Sequence, residues 1–346
     1  MFFRIKNEID RKLAEFIKNI DKTYSLSKIS PLLAKCIKDF VLRDGKRIRP
    51  ILFAIGYLGF IKKPASGFYL SALSMELLHD FLLVHDDIID KSDTRRGKPS
   101  MHAMLNKSLA KHKNIKFNGQ DLSIVAGDII YAMAIEAFLA IKEKPERKEK
   151  ALRKFIRAAV FTGSGEFIEL LSGIKDLAQI TKQDIYKIYD YKTSYYSFST
   201  PLATGAFLAG ADKSQINKLS GFGILLGRAF QIKDDILGMF ADEKEIGKST
   251  LTDLQEAKKT LLIWQAYKRS RKKDKALILK IFRKKNITRG DLNLIQRIIK
   301  DSGALRKCEE EINLLFLKAE KLILSCSMNS KYKHCLVEYC QKLLDL

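Results

Sequence analysis

Two groups of aspartates have the spacing to do chemistry: Asp86-Asp87-Ile88-Ile89-Asp90, and Asp234-Asp235 about 150 residues later. On a helix, Asp86 and Asp90 lie about 40° apart around the axis and about 6 Å along it, so both face one side. Apolar Phe81-Leu82-Leu83-Val84 precedes them, which puts the carboxylates at the end of a helix that is otherwise core. Carboxylates about 5 Å apart repel by roughly 3 kcal/mol per pair at an effective dielectric near 20, and a divalent cation relieves that repulsion. Hard oxygen donors without His or Cys suit magnesium, whose octahedron is commonly completed by phosphate oxygens. A solvated acidic helix end is the alternative, and the neighbouring residues decide between the two.

Those neighbours are cations. Thr94-Arg95-Arg96-Gly97-Lys98 brings adjacent guanidiniums whose forked donors match phosphate oxygens. Asp44-Gly45-Lys46-Arg47-Ile48-Arg49-Pro50 sets Lys46 and Arg49 three apart, on one face if a helix begins there. Asp234-Asp235-Ile236-Leu237-Gly238 again follows an apolar helical run, with Gln231 one turn upstream, and precedes Gly247-Lys248-Ser249 and Lys258-Lys259-Thr260. Two acidic groups ringed by cations imply a diphosphate site.

Helices must position these residues. Apolar residues recur at spacings of three and four along the chain, as in Ile5, Ile9, Leu13 and Phe16-Ile17, and extended alternating segments are missing. Breaks at Gly, Pro, Ser and Asp clusters predict helices near 3–22, 29–43, 47–61, 66–90, 120–142, 147–172, 182–210, 214–240, 250–270, 273–284, 290–300, 304–326 and 330–344. Lys91 to Gly119 is non-periodic and reads as a loop serving the first acidic group. The fold class is therefore all-α. With 346 residues, 46% of them hydrophobic, and no dividing linker or repeat, a single domain over residues 1–346 is the simplest organisation.

Bulk properties narrow the function further. Met1-Phe2-Phe3 is followed at once by charged residues, so no secretory signal is read, and Ile51 to Ile61 is too short an apolar run to span a bilayer. A cytoplasmic protein is expected. Five cysteines without metal-type spacing predict buried thiols, not a disulfide framework. The net charge of +23 suits an anionic substrate and could draw the protein to acidic membrane surfaces, but scattered Lys and Arg without an interleaved aromatic stripe argue against a nucleic-acid partner.

Taken in order, Gly45-Lys46-Arg47-Ile48-Arg49-Pro50, Glu76-Leu77-Leu78-His79, Leu83 to Asp90, Arg95-Arg96-Gly97, Ala126-Gly127-Asp128, Lys192-Thr193, Phe230 to Leu237, Gly247-Lys248 and Lys258-Lys259-Thr260 resemble the trans-prenyltransferases, or polyprenyl synthetases. The resemblance covers nearly the whole chain. It implies a helical bundle around a central cavity, of the isoprenoid synthase type, and a homodimer. It also implies an enzyme that condenses isopentenyl diphosphate with an allylic diphosphate, with about three magnesium ions per site. Asp86 and Asp90 would ligate two of the ions and Asp234 a third, with Asp87 and Asp235 as ligands or their supports. Arg95, Lys192, Lys248 and Lys258 would grip the allylic diphosphate. Lys46, Arg49, His79 and Arg96 would hold that of isopentenyl diphosphate. Thr193 and Gln231 would sit beside the reactive carbons, where oxygen dipoles stabilise a carbocation.

Two positions depart from the family pattern. Gly238 replaces the third acidic residue of the second group, where Asp242 reads as a solvated surface residue or, as the alternative, a source of charge, and Glu166 stands where many members carry Gln. Glu166 could order a water, pair with a lysine or be purely structural. Two rival readings are a silent partner subunit, which ought to have lost more of these residues, and a cyclase, which needs no isopentenyl pocket.

Product length should follow the depth of the apolar tunnel below Asp86, where Leu82 and Phe81 lie about one turn down. One bulky ring at Phe81, with no aromatic at the fourth position, resembles archaeal geranylgeranyl diphosphate synthases; farnesyl diphosphate is the alternative product. Phe81→Ala is expected to lengthen the products, read by chromatography of dephosphorylated prenols, and an unchanged distribution would remove Phe81 from the tunnel floor.

Overall fold

Capping residues start many of the helices where the hydrophobic period begins. Ser30 accepts from the Leu33 N–H ahead of Pro31, Asn118 and Asp121 form a capping box, and Thr181 with Asp184 and Thr288 with Asp291 repeat it. A computed structural model describes residues 1–241 and 252–345, and these fold as helices joined by short connections. The sole ladder among the described residues is a two-stranded antiparallel pairing of Thr94–Arg95 with Lys98–Pro99.

The all-α expectation holds, with local differences. The 91–119 stretch is not a plain loop: it holds that hairpin and the helix Met101–Leu109. Met101 and Leu105, spaced four apart, are buried, but one such pair amid Lys, His and Asn is too short a pattern to show as a period. The predicted 182–210 helix is α over Lys182–Tyr189, π over Asp190–Ser199 and α again over Thr200–Ala209. The 250–270 helix divides into Thr252–Gln255 and Leu261–Arg269, with Ala257 in the left-handed region (φ 52°). All five cysteines are buried free thiols.

The chain divides into two compact units, Met1–Phe155 with Pro201–Asp212, and Ile156–Thr200 with Lys213–Leu346. In the first, Phe68–Ile89 packs along Gly119–Leu139. That second helix is apolar enough by composition to cross a bilayer, with mean hydropathy 1.8 over an 18-residue window, but apolarity here also serves packing against Phe68–Ile89. In the second unit, Lys213–Phe240 packs against the π segment and against Ala304–Leu324.

Close packing uses glycine where two backbones meet. A Cβ on Gly205 would lie 2.2 Å from the Phe53 carbonyl oxygen, within the first unit. On exposed Gly163, inside the Pro145–Gly173 helix, it would meet no described atom within 4 Å. Gly205→Ala should therefore cost about 1–3 kcal/mol by overpacking, whereas Gly163→Ala should stabilise by about 0.5–1 kcal/mol through helix propensity. Thermal melting of the two variants reads both signs, and equal shifts would refute the contrast.

Candidate active site

In the first unit the Phe68–Ile89 helix carries the acidic group on its last turn, closed by the Asp90 N–H to Asp86 carbonyl bond of 2.8 Å. Consecutive helical residues point about 100° apart, and the aspartates sort accordingly. Asp87 is fully buried, while Asp86 and Asp90 remain partly exposed. Burial pushes the Asp87 carboxyl upward, and Arg95 works against that shift.

Arg95 is delivered by the hairpin. Its turn residues Arg96 and Gly97 both have positive φ, 54° and 69°, as a two-residue hairpin turn demands. The Arg95 guanidinium thereby reaches Asp87, with Nε to Oδ1 at 2.7 Å, and Asp86 Oδ2 at 3.1 Å. Arg43, 3% exposed, donates to the Arg95 carbonyl at 3.3 Å and the Pro99 carbonyl at 2.8 Å, pinning both strands.

Beneath lies a buried charge network that sequence reasoning left out. Arg47 pairs with Glu76 at 2.7 Å and with Asp10 at 2.9 Å, and Arg96 reaches Glu76 at 3.5 Å and Asp80 at 3.7 Å. Glu76 stood in the quoted motif, and Glu76 and Asp80 at positions i and i+4 on a helix between apolar runs were the available signal. Burial, with the neighbouring arginines, lowers His79 well below the ordinary imidazole range, so it enters the site neutral. Arg49 is half-buried on the Ile48–Leu58 helix, but Lys46 is exposed and precedes that helix, so the two do not share its face. Residue 47 takes a left-handed conformation (φ 50°) there and starts the helix later than the spacing argument assumed.

Phe81 and Leu82 are both half-buried. The Phe81 ring stacks on Tyr131 of the Gly119–Leu139 helix, centroids 4.8 Å apart at 26°, and meets His85 edge-on at 4.8 Å. Tyr131 carried no sequence signal, because it adjoins Phe81 only through helix pairing. His85 also lies 3.4 Å from Asp128, and a Cβ on Gly127 would come within 2.7 Å of the His85 ring.

In the second unit the same sorting recurs. Asp234 is exposed and Asp235 is 6% exposed. Asp235 accepts hydrogen bonds from Gln231 Nε2 at 3.0 Å and from the Tyr189 hydroxyl, and Gln231 Oε1 accepts from the Thr193 hydroxyl at 2.7 Å. Burial, with Asp235 alongside, raises the Tyr189 phenol well above its ordinary range, so it stays a donor. Lys192 is paired with Glu166 at 2.6 Å and with Glu169, so Glu166 takes the lysine-pairing option of the three left open. Lys258 pairs with Glu256 at 2.7 Å. Gly238 is buried in its helix. Lys248 and Asp242 lie outside the described residues.

The donor chemistry fits magnesium: partly exposed aspartate oxygens at Asp86, Asp90 and Asp234, with their immediate neighbours Asp87 and Asp235 hydrogen-bonded by protein groups. Residues 30–299 match the polyprenyl synthetase family model, and the chain belongs to that family. It is a prenyltransferase, a synthase of isoprenyl diphosphates. It is 33% identical to a geranylgeranyl diphosphate synthase of Sulfolobus acidocaldarius over 291 residues, 84% of this chain and 83% of that protein. Identity to a geranylfarnesyl diphosphate synthase of Aeropyrum pernix is 32% over 285 residues, 81% and 83% of the two chains. In fold it superposes on a Corynebacterium glutamicum geranylgeranyl pyrophosphate synthase solved with isoprenyl diphosphate and magnesium. The TM-score is 0.88, over 99% of this chain and 98% of that one, at 24% identity.

Asp80 offers a test of the buried network. Both its oxygens are buried without a hydrogen-bond donor among the described residues, and burial with Glu76 nearby pushes the carboxyl well above the Asp range. Between about pH 4 and that raised value the folded chain therefore binds more protons at this group than the unfolded chain does, so the group lowers stability as pH rises through that window. Asp80→Asn lacks that component, and its melting temperature should gain on the parent between about pH 4 and pH 7. A constant difference across the range would refute the assignment.

Proposed function

We propose that this enzyme makes geranylgeranyl diphosphate from isopentenyl diphosphate and allylic primers. The observation that carries the product length is the Phe81 ring one turn below Asp86, backed by Tyr131 in a stack 4.8 Å deep, which suits a short tunnel floor. The Sulfolobus acidocaldarius relative supports twenty carbons, and the Aeropyrum pernix relative makes twenty-five the second reading.

Asp86, Asp90 and Asp234 would hold magnesium, which when bound would neutralise charge on the diphosphate leaving group, and Asp87 and Asp235 would brace them from the protein side. Arg95, Lys192, Lys258 and, by its motif, Lys248 bind the allylic diphosphate. Lys46, Arg49, Arg96 and neutral His79 bind isopentenyl diphosphate. The allylic carbon–oxygen bond breaks, the terminal alkene carbon of isopentenyl diphosphate attacks the cation, and released pyrophosphate takes the proton. Thr193 and Gln231 lie beside the reacting carbons, where Thr193, its proton held by Gln231 Oε1, turns an oxygen dipole toward the cation, and apolar walls exclude water that would quench it.

We further place the enzyme in the cytoplasm as a homodimer. Exposed Ile124, Val125 and Leu139 on the Gly119–Leu139 helix of the first unit are apolar surface a second copy would cover. The charge of +23 favours the anionic substrates and adds an attraction to acidic membrane surfaces, without a nucleic-acid partner.

Incubation with magnesium, labelled isopentenyl diphosphate and each allylic primer in turn should give a twenty-carbon alcohol after dephosphorylation, and chelation of the metal should abolish it. Fifteen or twenty-five carbons would replace the product assignment. Absence of elongation with every primer would instead favour a silent, prenyl-diphosphate-binding subunit.

A further inference from the structure

Tyr189 belongs to none of the motifs, yet it closes a directed chain of hydrogen bonds inside the second unit. The Leu261 N–H donates to the Tyr189 oxygen at 2.8 Å. The phenol has one proton to give, and it goes to Asp235 Oδ2. An ionised carboxylate only accepts, so the amide group facing Asp235 Oδ1 must be the Gln231 nitrogen, at 3.0 Å. That choice turns Gln231 Oε1 to Thr193, which spends its only hydroxyl proton on it at 2.7 Å. What Thr193 has left to offer is oxygen lone pairs, the negative end of its dipole.

Burial grades along the same chain. Tyr189 is 5% and Asp235 6% exposed, while Gln231 and Thr193 are half-buried. The inner end is anchored in packed core, with the Ser194 hydroxyl on the Tyr189 carbonyl at 3.1 Å. The outer end faces the part of the unit where Lys192 stands next in sequence.

We infer that the Tyr189 hydroxyl is a positioning group for the reaction: by holding Asp235 it fixes the Gln231 amide and thereby aims the Thr193 oxygen as an acceptor dipole at developing positive charge. This rests on the reading of Thr193 and Gln231 beside the reacting carbons. It adds that their polarity is set from the core by a residue that touches no substrate. Because Tyr189 donates to Asp235 Oδ2 and not to the proposed ligand Asp234, its loss should act on turnover more than on the binding of either diphosphate.

The test is steady-state kinetics of Tyr189→Phe, Thr193→Ala and the double variant in the full-length enzyme. Each single change should lower kcat by about tenfold or more with KM for both diphosphates unchanged. The double variant should be within about twofold of Thr193→Ala alone, since both act at one oxygen. Asp235→Asn, which offers one acceptor where Tyr189 and Gln231 need two, should show the same failure to add, and it carries the test if Tyr189→Phe does not fold. If Thr193→Ala leaves kcat unchanged, the Thr193 reading falls and takes this inference with it. If Thr193→Ala is slow but Tyr189→Phe is not, or if their losses multiply, the positioning role alone is overturned.

Discussion

Carboxylates on helices that otherwise form core are matched to a donor, turned to solvent or, as at Asp80, held protonated, and much of this site follows from the first two. The solution is the same in both units. One aspartate of each adjacent pair points inward and is held by protein donors, Arg95 on Asp87 and Tyr189 with Gln231 on Asp235. Its neighbour, about 100° away around the helix, is left at the surface. The inner residue is tied to the protein; the outer one is the ligand in the metal site we propose. The paired motif thus separates an inward-held carboxylate from an outward one, and Gly238, buried in the same helix, adds no carboxylate to it.

Matching charges extends into the core. Arg43 and Arg47 are 3% and 4% exposed, and each is occupied by acceptors: Arg43 by the hairpin carbonyls and Asp39, Arg47 by Glu76 and Asp10. Removing one partner of such a pair typically costs about 3–5 kcal/mol because the other charge stays buried. Much of the excess positive charge is scattered at the surface, but Arg43 holds the hairpin that brings Arg95 to the acidic group, and Arg47 donates to the Arg43 carbonyl.

The π segment does comparable work in the second unit. Wider turns shift the register of Asp190–Ser199 relative to an α-helix. Close approach to Lys213–Phe240 is permitted by Gly223 and Gly227, whose Cβ atoms would each fall 2.5 Å from backbone of Ser199 and Ser194. Arg228 then forks onto Asp190 at 2.7 and 2.6 Å. That seating lets the Thr193 hydroxyl reach Gln231.

Local order in the sequence determined the helices, since period, caps and breakers act over a few residues, and it determined the chemistry of both acidic groups, since their spacing acts within one turn. Order along the chain also carried the family. Tertiary structure alone decided which aspartate of each pair faces inward, because that depends on which side of the helix meets the core. It brought Tyr131 under Phe81, Glu166 onto Lys192 and Tyr189 onto Asp235, contacts between residues 26 to 50 positions apart that no local pattern encodes. The hairpin and the π segment were hidden for the same reason: each is stabilised by distant partners, Arg43 for the first and the glycines of Lys213–Phe240 for the second, and not by the propensity of its own residues.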